Sequence, residues 1–121
     1  MKSKVLEFFL ITLILLISSL SVNRQIKKAY RGNWSFAAPA GNPGFTEGIF
    51  EFNKDSIFTT FTNMKYKFPC TWVKVKKDSV IFESNINGYN VLSSLKIENK
   101  TNMKGNCVWS SGESKLVLKK K

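Results

Sequence analysis

From residue 32 onward the apolar positions recur with a period of two, and no stretch shows the 3.6-residue period of a helix. Runs of β-branched and aromatic residues alternate with short clusters of Gly, Asn, Asp and Lys. The pattern predicts eight strands, at 33–38, 48–53, 56–62, 67–76, 79–84, 89–98, 103–109 and 114–119. The segment Pro39-Ala40-Gly41-Asn42-Pro43-Gly44 cannot sustain a ladder and reads as a loop. Asn87-Gly88 is the strongest hairpin signal, because a type I′ turn needs positive φ at both central residues. Alternation predicts an inward set of Trp34, Phe36, Phe50, Phe52, Phe61, Val73, Val75, Val80, Phe82, Val91, Leu95, Ile97, Met103, Trp109, Leu116 and Leu118. Consecutive hairpins of this kind make an all-β antiparallel meander. Eight strands can close into a barrel and so remove their exposed edges. An open β-sandwich of the same strands is the alternative.

The first thirty residues break this pattern. Met1-Lys2-Ser3-Lys4 is basic, Phe8 to Ile17 is apolar apart from Thr12, and Ser18-Ser19-Leu20-Ser21 supplies small residues. This is the layout of an export signal cleaved after Ser21. A spanning helix needs about 20 apolar residues, which this run does not reach. An uncleaved membrane anchor is the alternative, and Glu7 just before the run favours it. The chain therefore divides into a signal peptide at 1–21, a basic arm at 22–31 and a β-barrel domain at 32–121. The expected location is secreted or periplasmic.

Export changes the meaning of the cysteines. Cys70 and Cys107 are the only two, and an even count in an exported domain favours a disulfide. Closing that loop would stabilise the fold by roughly 4 kcal/mol on the chain-entropy estimate. In a simple meander the two cysteines lie on the fourth and seventh strands, which are not neighbours. The bridge would have to cross the barrel or link its ends, or the topology would differ.

The formal net charge is +11. Such an excess attracts polyanions, and export directs attention to anionic envelope surfaces before nucleic acid. Lysines cluster at Lys65 with Lys67, at Lys74 with Lys76 and Lys77, and at 119–121. If Val73 and Val75 face inward, alternation places Trp72 outside, on one face with Cys70, Lys74 and Lys76. An exposed aromatic between lysines suits an anionic surface, so Trp72, Lys74 and Lys76 are the candidate anion-binding residues.

Catalytic chemistry is thin. The chain has no histidine, which removes the usual general base and zinc ligand. Glu47 and Glu51 are the one pair of carboxylates near a predicted barrel mouth, too weak a signal for glycoside hydrolysis. No phosphate loop, calcium loop or CxxC pattern is present. Asn33-Trp34-Ser35 and Asn99-Lys100-Thr101 match the glycosylation pattern. No enzyme activity, metal or cofactor is expected.

Gly32-Asn33-Trp34 opens the first strand, and a basic residue ends the last. A G-x-W so placed before a meander resembles the lipocalin-like (calycin) barrels. The resemblance implies that Trp34 closes one end of the barrel, with a basic side chain of the last strand, Lys119 or its neighbour Lys120, stacked over it. Gly32, Trp34 and Lys119 are the closure residues it implies. It also implies a carrier or sensor of a small hydrophobic or amphipathic ligand. The candidate cavity residues are Phe36, Phe50, Phe52, Phe82 and Val91. The chain is also similar in size and start to small exported β-barrel inhibitors. That likeness implies the alternative, a solid-cored interaction module binding a partner protein or envelope surface through loop 39–47 and the basic faces.

Overall fold

The Asn87-Gly88 turn forms as its chemistry requires, with φ of +52° and +88° and Ile86 facing Tyr89 across it. It belongs to a computed structural model that describes residues 25–121; the expected signal segment lies outside the described residues. Eight strands follow one another: β1 (Gly32–Ala37), β2 (Glu47–Phe52), β3 (Ile57–Phe61), β4 (Phe68–Lys76), β5 (Ser79–Ile86), β6 (Tyr89–Ile97), β7 (Asn102–Trp109) and β8 (Gly112–Lys120). Each pairs antiparallel with the next, and β8 returns to β1 to close the barrel. The closing register runs from Trp34 opposite Lys120 to Ala37 opposite Val117. The meander predicted from alternation is therefore the observed topology, and the open sandwich is not.

The whole predicted inward set is buried or packed against the buried core. Ile57, Phe68 and Cys107 join it, as does Ile26 ahead of the first strand. The inward position between Met103 and Cys107 is Gly105. A Cβ there would lie 1.7 Å from the Ser94 carbonyl oxygen, so only glycine lets β6 and β7 approach this closely.

The ladder is uneven. β5 and β6 share eight facing pairs, whereas β3 and β4 share only Phe58–Pro69 and Thr59–Phe68. Pro69 has no N–H to donate, which weakens that seam further. β4 also carries a bulge between Cys70 and Trp72. The extra residue, Thr71, reverses the alternation. Phe68 and Cys70 pack against the core on one side of it, and Val73 and Val75 on the other. Strict alternation places Cys70 outside with Trp72; the bulge corrects this, and Trp72 alone is exposed.

The expected disulfide does not form. Cys70 and Cys107 are both free. β5 and β6 stand between their strands, a separation of roughly 14 Å around the sheet at the usual strand spacing. A bridge needs Cα atoms within about 7 Å. Cys70 Sγ instead accepts the Ile57 N–H at 3.3 Å, and Cys107 faces Ser93 on one side and Ser114 on the other.

Candidate functional site

The connections fall at two ends. Loop 38–46, loop 62–67 and the turns 87–88 and 110–111 lie at one; the turns 53–56, 77–78 and 98–101 and both ends of the barrel chain lie at the other. The second end is solid. Trp34 is fully buried and tilts against Phe52 with ring centroids 5.9 Å apart. Its indole N–H donates to the Tyr30 carbonyl at 2.9 Å. A 3-10 helix, Lys28–Tyr30, lies across this end. It is held by Ile26, whose N–H donates to Lys54 O at 2.7 Å, and by Arg31, whose Nε donates to Ile26 O at 2.9 Å.

The basic side chain over the tryptophan is Lys120, with Nζ 5.3 Å from the ring centroid. It also donates to the carbonyls of Ala29, at 3.3 Å, and Arg31. Lys119, the residue given that place by the resemblance, is exposed. Parity explains the shift: Leu116 and Leu118 point inward, so the next inward position is 120. Gly32 holds φ at +119°, and the Lys120 stem passes 3.6 Å from where its Cβ would be.

The first end is hollow. A cavity of about 180 Å³ opens there. Phe50 forms its floor, stacked on Phe36 at 4.2 Å and edge-on to Phe82 at 5.3 Å. Phe61 and Val91 continue the wall, and Trp109 and Tyr89 stand toward the mouth. Loop 38–46 folds partly over it. Phe45 meets Phe61 edge-on at 4.9 Å, and Ala40 N–H donates to Ser114 Oγ at 3.0 Å. Of the five candidate cavity residues, Phe36, Phe50, Phe82 and Val91 line this space. Phe52 does not; it packs beneath the floor against Trp34. Period-two patterning assigns a face but not a height in the barrel, so it could not separate these.

Sequence reasoning missed the polar lining. Thr59, Ser84, Ser93 and Cys107 all face the cavity, and period-two counting among aromatic residues passed over them. Thr59 and Ser84 are 1% and 2% exposed, and neither hydroxyl has a hydrogen-bond partner. No charged side chain lines the cavity among the described residues. Burial raises the Cys107 thiol above the ordinary value of 9.0, and burial does the same for Cys70. Both are therefore neutral thiols near pH 7. No cluster of three or more potential metal ligands occurs among the described residues.

The outer surface gathers charge by register. Trp72, 43% exposed, stands beside Lys74 and Lys76 on β4. Cross-strand neighbours align Lys76, Ser79, Lys96, Lys104 and Val117 in one row. The next row holds Lys74, Ile81, Ser94, Asn106 and Lys115. Among these lysines only Lys104 has an acidic partner among the described residues, Glu98 at 3.6 Å. Glu47 and Glu51 do not form a pair facing the cavity: Glu47 is exposed, and Glu51 bonds to Lys67 at 3.4 Å.

These features define the class of the molecule: an eight-stranded antiparallel closed barrel, consistent with a lipocalin-like fold, capped at one end and hollow at the other. Compared with known proteins, the chain matches no family model, no curated protein and no solved structure. No helix among the described residues is long and apolar enough to cross a membrane.

Proposed function

We propose that the protein is an exported, non-enzymatic carrier or sensor of a small apolar or amphipathic molecule, a calycin-like role carried by the open half of the barrel. The observation that supports it is the cavity, lined mainly by Phe36, Phe50, Phe61, Phe82 and Val91. Well-packed cores leave few voids larger than a water molecule, and an apolar cavity of about 150 Å³ stays dry and takes up a benzene ring. Drug-sized sites run to about 300–1,000 Å³, so the ligand is small: about seven to ten non-hydrogen atoms, or the end of a longer chain entering by the mouth. Bulky dyes are the wrong probes. Calorimetric titration with toluene should give one site with a Kd on the order of 0.1–1 mM. Val91→Phe, which places a ring in the space, should weaken binding at least tenfold. Equal binding by both proteins, or none by either, would refute the reading.

The rows of lysine support a second reading, in which the outer face binds an anionic envelope polymer. Lys96 and Lys104 are neighbours on the outer face, with Lys76 in the same row beyond Ser79 and Trp72 on the same strand as Lys76. Binding to a linear polyanion should fall steeply between 50 and 300 mM salt. It should also weaken in a Lys96→Gln/Lys104→Gln variant. Toluene binding should respond to neither.

A further inference from the structure

We infer that the ligand is a neutral molecule bearing one hydrogen-bonding group, a hydroxyl, carbonyl or amide, and that Thr59 and Ser84 recognise that group. This inference rests on the cavity reading above and adds the chemical class of the ligand.

The argument begins with what buried hydroxyls require. A hydroxyl removed from water without a partner is costly, and the large majority of buried polar side-chain atoms are paired. Ser114 shows how the rule is met. Ser114 Oγ, also buried in the wall, accepts from Ala40 N–H and donates to the Lys115 carbonyl, both at 3.0 Å. Thr59 and Ser84 are as deeply buried and have no partner among the described residues. Neither hydroxyl bonds to a neighbouring backbone group either.

Their placement is not scattered. Thr59 faces Phe68 across one edge of β4, and Ser84 faces Cys70 across the other. Those two partners are two residues apart on the same strand. Cys70 shares the inward face with Phe68 by alternation, and Ser84 shares it with Val80 and Phe82. Both residues therefore line one side of the cavity, and Thr59 stands directly beside Phe50 across the β2–β3 ladder. An apolar floor with a polar side wall orients a molecule whose ring or chain meets the aromatics while its polar group meets the hydroxyls.

The same lining fixes the charge of that group. A carboxylate or ammonium buried against a mostly apolar lining needs an opposite charge or several directed dipoles. The lining holds neither Lys, Arg, Asp nor Glu among the described residues. The lysines are confined to the outer surface and to Lys120 at the far end. A hydroxyl, by contrast, can both donate and accept, which matches a neutral group of either polarity.

The test uses isosteric probes on the whole domain. Phenol and toluene have the same shape, as do benzamide and benzoate. The affinity ratio of phenol to toluene should fall about tenfold in Thr59→Val/Ser84→Ala, the loss expected for one or two neutral hydrogen bonds. Toluene binding should be kept or improved, and Thr59→Ser should retain the wild-type ratio. Thermal melts of each variant check that it is folded, and the single variants serve if the double one is not. Benzamide should bind and benzoate should not. If the ratio is unchanged in the variants, the hydroxyls hold water only and the inference fails while the cavity reading stands. If benzoate binds as tightly as benzamide, the neutral class is wrong. If no probe binds the wild-type protein, the cavity reading itself fails.

Discussion

The two ends of the barrel are built from the same strands and the same kinds of residue, yet one is packed solid and the other is hollow. At the closed end the polar groups around the tryptophan are paired: the Trp34 indole donates to Tyr30, and Lys120 bonds two carbonyls above the ring. At the open end two buried hydroxyls have none, and the aromatics leave about 180 Å³ unfilled. The difference shows where stability is concentrated and where it has been given up. Shape complementarity and satisfied polar groups gather at the capped end. Unfilled volume and unmet hydrogen bonds gather in the hollow half, where a ligand can supply both.

The contrast predicts that truncations at the two ends differ in kind. The largest effect is expected from Trp34→Ala, which removes a fully buried ring and should lower unfolding stability by about 3–5 kcal/mol. Phe45→Ala at the mouth deletes a half-buried ring from a loop and should cost less than about 1.5 kcal/mol while changing probe binding. Denaturant unfolding of the two variants measures this; equal losses would break the comparison. The reverse sign is expected where a polar group lies unmet. Thr59→Val and Ser84→Ala should each raise the stability of the ligand-free protein by about 1 kcal/mol, because an unpaired buried hydroxyl is removed.

Lys120→Met and Lys119→Met sharpen the account of the cap. The first loses a cation–π contact and two carbonyl bonds and should cost about 1 kcal/mol. The second, on the outer face, should stay within about 0.5 kcal/mol. Equal effects would return the closure role to Lys119 or remove it from both. Smaller in free energy is the local opening of the wall. Amides along β3 and β4, joined by two facing pairs, should exchange with deuterium faster than those of β5 and β6, joined by eight. The smallest effect concerns pH. Burial raises both thiols in the folded state, so the unfolded chain loses its thiol protons first as pH climbs. Stability should be level in this respect below about pH 8.5 and decline above it as pH passes the folded value. Replacing both cysteines with alanine should remove that decline.

Much of the barrel was legible because the side-chain period of a strand is two and the turns carry their own chemistry. Trp34, Phe36 and Phe50 announce an inward face by alternation, and Asn87-Gly88 fixes a hairpin by its need for positive φ. The basic character of the outer face was equally plain from Trp72, Lys74 and Lys76. Other features depend on facts that no alternation carries. The β4 bulge inverted the face of Cys70. The separation of β4 from β7 left both thiols free. The choice of Lys120 over Lys119, by contrast, follows from the parity of Leu116 and Leu118.

The amino-acid sequence by itself thus determined the strands, their order as a meander and the residues that face inward, because those follow from local sterics and from burial of every second side chain. Only the tertiary structure decided how high in the barrel each inward residue sits. That height sends Phe52 under Trp34 and Phe50 to a cavity floor, and leaves Thr59 and Ser84 without partners. Height is set by the stagger of eight paired strands closing on themselves, a property of the whole ring that no single segment of chain contains.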